Sequence, residues 1–119
     1  MRLLLVEDNK VLADWLSRTL RKQLYAVDCV DNGADADFVL RTETYDLVLL
    51  DLALPKLDGH EVLRRLRADS TTRDTPVVVV SADATGVARD ELLSAGASRY
   101  LTKPVAMADL LAAVDELAA

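Results

Sequence analysis

The sequence predicts an α/β fold, a doubly wound, five-stranded parallel sheet assembled as (βα)5. Short apolar runs alternate with amphipathic stretches five times along the chain. The third and fourth apolar runs are unbroken Leu/Val blocks, which suits strands covered on both faces of a parallel sheet. The chain has 119 residues, enough for one domain and too few for two. A single unit spanning residues 1–119, with no effector domain, is therefore expected.

The apolar runs are Leu3 to Val6, Ala26 to Val30, Leu47 to Leu50, Val77 to Val80 and Arg99 to Leu101. Between the first two, Val11, Leu12, Trp15, Leu16 and Leu20 recur every three to four residues and predict a helix with one buried face. Asp35 to Arg41 is the second expected helix. Gly59 to Arg67 is the third, with Val62, Leu63 and Leu66 inward and Asp58-Gly59 as its entry turn. Thr85 to Ala95 is the fourth, stopped by Gly96 as a C-terminal cap. Met107 to Leu117 is the fifth, with Leu110, Leu111, Val114 and Leu117 facing in. Right-handed crossovers then place helices on both faces of the sheet.

Composition removes several functions. Hydrophobic residues make up 51% and charged residues 29%, the balance of a globular protein with a core. The first apolar run is four residues long and meets Glu7-Asp8 at once, so neither a signal peptide nor a membrane contact is expected. A net charge of −6 argues against nucleic-acid binding through this chain. Cys29 is the single cysteine, so no internal disulfide can form, which fits a cytoplasmic location. Cys29 itself reads as a buried small hydrophobe, Trp15 as core and His60 as surface.

In open parallel sheets, ligands bind beyond the carboxyl ends of the strands. Glu7-Asp8 follow the first strand, Asp51 the third, Ser81 the fourth, and Lys103-Pro104 the fifth, so all should share one crevice. Three gathered carboxylates repel one another unless a cation joins them. Oxygen-only donors suit a hard, partly hydrated Mg2+. With one histidine and one thiol in the chain, a zinc site lacks ligands. Beside such an ion Asp51 can attack an activated phosphoryl group, with Ser81 and Lys103 stabilising the phosphoryl oxygens.

Each residue also has a plainer reading. Acids at positions 7 and 8 are what a helix start uses, and Asp51 can be a turn residue. Ser81 competes with Asp83 and Thr85 to cap the fourth helix, Lys103 can be a solvated surface lysine, and Tyr100 can be ordinary edge-strand packing. A nucleotide- or flavin-binding module on the same fold would want a Gly/Ser/Thr-rich loop after the first strand, where Glu7-Asp8-Asn9 stand. A phosphate-ester hydrolase resembling the haloacid dehalogenase group would carry a second aspartate at position 53, which is Ala53.

In order along the chain, Leu4-Leu5-Val6-Glu7-Asp8-Asn9, Asp46 to Leu52, Leu54-Pro55-Lys56-Leu57-Asp58-Gly59, Pro76 to Ala82 and Gly96 to Pro104 resemble the response-regulator receiver family of two-component signalling. The resemblance covers the whole chain and implies a flavodoxin-like receiver fold with strand order 2-1-3-4-5. It implies Asp51 as phosphoacceptor, and Glu7, Asp8, Asp51 and the Ala53 backbone carbonyl as ligands of Mg2+, for which Mn2+ can substitute. It further implies Lys103 and Ser81 as phosphoryl-binding groups, Ser81 and Tyr100 as a coupled switch, and a cis bond to Pro104. The expected donor is a phosphohistidine on a sensor histidine kinase or phosphotransfer protein. The implied assembly is a homodimer through the fourth helix, fifth strand and fifth helix. Such a domain catalyses its own modification and hydrolysis and is not a turnover enzyme; the alternative is a non-phosphorylated interaction scaffold. Met1 to Gly59 is most similar to regulators with a winged-helix domain, and the later half to stand-alone or hybrid-kinase receivers. Ser98-Arg99 and Val105 stand where the winged-helix subfamily has paired acids and phenylalanine, which weakens the charged dimer face.

Overall fold

A computed structural model describes residues 1–118. Strands and helices alternate as β1 (Arg2–Val6), α1 (Lys10–Lys22), β2 (Ala26–Val30), α2 (Gly33–Thr42), β3 (Leu47–Asp51), α3 (Gly59–Ala68), β4 (Val77–Ser81), α4 (Gly86–Ser94), β5 (Arg99–Thr102) and α5 (Met107–Ala118). The five strands form one sheet in the order β2-β1-β3-β4-β5, every pair parallel. The expected fold class and strand order are both observed.

The two-residue period of a strand divides each apolar run between two cores. Leu4, Val6, Val48, Leu50, Val77 and Val79 point to the side covered by α2, α3 and α4. Leu3, Leu5, Leu47, Leu49, Val78 and Val80 point to the side covered by α1 and α5. All five residues of β3, and all five of β4, are buried, as unbroken apolar runs demand. Side chains cap the first four helices: Asn9, Asn32, Asp58 and Thr85 each accept a hydrogen bond from the backbone three residues on. Thr85 therefore lies just outside α4, and α2 starts at Gly33 rather than Asp35 because Asn32 opens it.

Two assignments made from the sequence are corrected. Cys29 is exposed, because β2 is an edge strand and only its Val27 is fully covered. Val11, assigned to the inner face of α1, is 82% exposed. At about 3.6 residues per turn it lies across the helix from Leu20 and well round from Leu16, which α1 buries, so it faces solvent. Trp15 packs only partly buried against the α1–α5 core, and His60 is exposed as expected.

α1 and α4 finish in the same motif with different residues. Gly96, at φ 113°, follows α4 with Ala97 N–H bonded to Leu92 C=O and its own N–H to Leu93 C=O. Leu24, at φ 69°, follows α1 with Tyr25 N–H to Leu20 C=O and its own N–H to Arg21 C=O. Both are the six-to-one and five-to-two pairing of a helix ended by a left-handed residue. Glycine takes that conformation freely, whereas a side chain pays roughly 1 kcal/mol. Leu24 is 91% exposed and recovers nothing by packing. Leu24→Gly should therefore raise the unfolding free energy by about 1 kcal/mol, read as a higher urea midpoint with unchanged slope.

Candidate phosphoryl-transfer site

The parallel sheet delivers β1, β3 and β4 to one rim, and the polar residues collect there. Glu7 leaves β1 with its N–H on Val30 C=O, which holds it at the seam of β1 and β2, 3% exposed. Asp51 is the last residue of β3 and is 4% exposed. Asp8 stands beside them in solvent, and the carboxylates of Glu7, Asp8 and Asp51 offer oxygens within 4.8 Å of one another. This is the one such cluster among the described residues.

Lys103 reaches into the cluster from the far side. Its Nζ lies 3.0 Å from Glu7 Oε1 and 3.2 Å from Asp51 Oδ2. The peptide bond to Pro104 is cis, as expected. The other carboxylate oxygens take backbone donors: Glu7 Oε2 accepts from Asn9 N–H at 3.1 Å, and Asp51 Oδ1 from Ala53 N–H at 3.3 Å.

The electrostatics follow from burial. Loss of water pushes the Glu7 carboxyl up, and neighbouring Asp51 pushes it further; Asn9 N–H and Lys103 pull back, leaving it at about 7. Burial works against the Lys103 charge, but Glu7 and Asp51 outweigh it and hold the ammonium above its ordinary value. One ammonium cannot neutralise three carboxylates. The surplus negative charge and the all-oxygen donor set fit a hard divalent ion. His60 and Cys29 are outside the cluster, so a softer metal finds no nitrogen or sulfur there.

Ser81 ends β4 and is 8% exposed; its Oγ accepts from Asp83 N–H at 3.1 Å. Tyr100, half-buried on β5, donates its hydroxyl to Asp83 C=O at 2.5 Å. Both hydroxyls thus hang on one residue of the loop between β4 and α4. A cavity of about 280 Å3 between α3 and α4 touches Ala53, His60, Ser81, Glu91 and Tyr100. Since Thr85 caps α4, Ser81 is not used as a helix cap.

Glu7, Asp8, Asp51 and Lys103 meet at this rim; Ser81 ends the neighbouring β4, and Tyr100 is joined to it by two hydrogen bonds through Asp83. Two participants escaped the sequence reading, the Asn9 amide on Glu7 and the Asp83 backbone between Ser81 and Tyr100. Backbone groups carry no residue-type signal, so neither was visible in a string of letters.

Residues 3–115 match the model of the response regulator receiver domain. The chain is 44% identical over 110 residues to the transcriptional regulatory protein TctD of Salmonella typhimurium, covering 92% of this chain and 48% of that protein. It is 38% identical over 117 residues to the transcriptional regulatory protein CusR of Escherichia coli, covering 98% and 51%. The chain thus spans about half the length of these curated relatives. Among solved structures it resembles the receiver domain of Francisella response regulator 1452, with 29% identity, 98% and 95% coverage and a TM-score of 0.93. It also resembles the receiver domain of sensor histidine kinase PA1611 from Pseudomonas aeruginosa, with magnesium coordinated in its active-site cleft. That match has 34% identity, 98% and 96% coverage and a TM-score of 0.90. With the five-stranded order, the strand-end acids and these matches together, the chain belongs to the response regulator receiver domains of two-component systems.

Proposed function

We propose that Asp51 is the phosphoacceptor of this receiver domain, taking a phosphoryl group from a phosphohistidine on a sensor histidine kinase or phosphotransfer protein. The observation that carries the reading is the placement of Asp51: buried at the end of β3, 3.2 Å from Lys103 Nζ and within the reach of Glu7 and Asp8. An Asp51 carboxylate oxygen attacks phosphorus, the P–N bond breaks, and the imidazole leaves with its electron pair. Lys103, 3.2 Å from Asp51 Oδ2, would follow the incoming phosphoryl oxygens, and Ser81 Oγ would turn from Asp83 N–H to donate to one of them.

Glu7, Asp8, Asp51 and the Ala53 carbonyl would hold Mg2+, with Mn2+ as a substitute. When bound, the ion offsets the charge of carboxylate and phosphate brought together. Hydrolysis of the acyl phosphate returns the domain to its starting state, so the site modifies itself and does not turn over an external substrate. Ser81 and Tyr100 would then move as a switch that alters the α4–β5–α5 surface, where Val87 on α4 and Met107 on α5 are 78% and 50% exposed. That surface is the proposed contact for a second copy, and the cytoplasm the proposed location. The net charge of −6 supports no direct nucleic-acid contact by this chain.

The test uses acetyl phosphate and, separately, beryllofluoride, each with and without Mg2+. The wild type should form an adduct, seen by intact mass for the phosphoryl group and by amide shifts at the rim for beryllofluoride. EDTA should abolish both. A wild-type chain that takes up neither reagent at saturating Mg2+ is not a phosphoacceptor.

A further inference from the structure

The loop of residues 52–58, between β3 and α3, carries the proposed Ala53 ligand yet does little to hold itself. Within it, Leu54 N–H reaches Leu52 C=O and Leu57 N–H reaches Pro55 C=O, both tight local turns, and Lys56 stands at φ 70°. Mg2+ tolerates little deviation from octahedral geometry, so a carbonyl ligand on such a loop needs fixing from outside. On the β3 side Ala53 N–H donates to Asp51 Oδ1 at 3.3 Å, and α3 adds Gly59 N–H on Leu52 C=O at 3.0 Å. A third fixing comes from α2. Gly33 N–H donates to Pro55 C=O at 3.2 Å, and a Cβ at Gly33 would lie 1.7 Å from Leu57 O and 2.5 Å from its carbonyl carbon. The first turn of α2 is thus seated backbone against backbone on the loop. Leu52, Leu54 and Leu57 complete the seat by packing on the core that α2 lines.

Helix entry does not by itself require this glycine. Gly86 holds the equivalent first position of α4, and a Cβ there meets nothing within 4 Å. We propose that Gly33 is a positioning residue of the phosphoryl-transfer site: its missing side chain lets α2 clamp the 52–58 loop and hold the Ala53 carbonyl where a metal ion would bind. The inference rests on the Mg2+ reading above.

The test is an amide-resolved NMR titration with MgCl2 of the wild type and four variants, each first checked for cooperative unfolding. Gly33→Ala should weaken Mg2+ binding about tenfold, the usual effect of disturbing groups behind a metal ligand. Leu57→Ala, which loosens the same seat from the loop side, should weaken it in the same direction. Gly86→Ala should bind as the wild type does. Leu110→Ala opens the opposite core, where Leu110 is fully buried, and should lower stability without changing Mg2+ affinity.

A folded Gly33→Ala with wild-type affinity overturns the proposal, as does an equal loss in Leu110→Ala, which would make the effect general loosening. Should Gly33→Ala not fold, Leu57→Ala decides: weakened binding supports the clamp and unchanged binding overturns it. Failure of the wild type to bind Mg2+ defeats the underlying site reading instead, and is recognised by occurring before any substitution.

Discussion

Asp51→Asn should take up no phosphoryl group from acetyl phosphate under conditions that label the wild type, a fall in rate of about ten-thousandfold. An amide nitrogen or oxygen is a far poorer nucleophile than a carboxylate, while the near-identical shape keeps β3 and the rim in place. Rival carboxylates are poorly set for the job. Glu7 is held protonated up to about 7 by its burial and by neighbouring Asp51, which makes it the weaker nucleophile near neutral pH. Asp8 is exposed, and no Lys103 contact reaches it. Intact mass after acid quench reads the outcome without needing the kinase. Undiminished Mg2+-dependent labelling of the asparagine variant would move the acceptor to another residue.

Lys103→Ala should cost the metal-free protein about 3 kcal/mol at about pH 8, because it strips the shared cation from two buried carboxylates. The loss should shrink in acid, and the direction follows from Glu7. Its carboxyl titrates at about 7 in the folded protein against 4.5 ordinarily, so the folded state holds that proton more tightly. Stability linked to Glu7 is therefore full below 4.5 and declines as pH rises through 7. Without Lys103 the carboxyl moves higher still, which extends the decline into alkaline pH while leaving the protonated protein little affected. Millimolar Mg2+ should return much of the loss, since a divalent ion takes over the neutralising role. Urea midpoints near pH 5 and pH 8, with and without Mg2+, give all four values. Equal midpoints for variant and wild type at the higher pH would show that the ion pair contributes nothing to folding.

The parts legible in the sequence are those where residue type and position say the same thing. Val77 to Val80 and Leu47 to Leu50 suited strands covered on both sides, and the topology they imply gathers Glu7, Asp8, Asp51, Ser81 and Lys103 before any distance is known. Reading failed where the environment decides. Val11 is apolar but lies across α1 from Leu20, outside the buried face, and Cys29 belongs to the edge strand β2. Leu24 adopts a conformation its residue type disfavours. Gly33 carried no marker in one dimension, because what forbids a side chain there is Leu57, distant in sequence and adjacent only once the chain has folded.

Ser81 and Tyr100 are tied to the amide and the carbonyl of the same residue, which leaves Asp83 little independent rotation. Two hydroxyl groups that could each occupy two positions would ordinarily give four arrangements. Under the switch proposed above, their shared partner Asp83 would join them into a single coordinate. Such a linkage would convert two local fluctuations into one cooperative transition, and the proposed switch then predicts a common exchange rate for the loop after β4 and the strand β5.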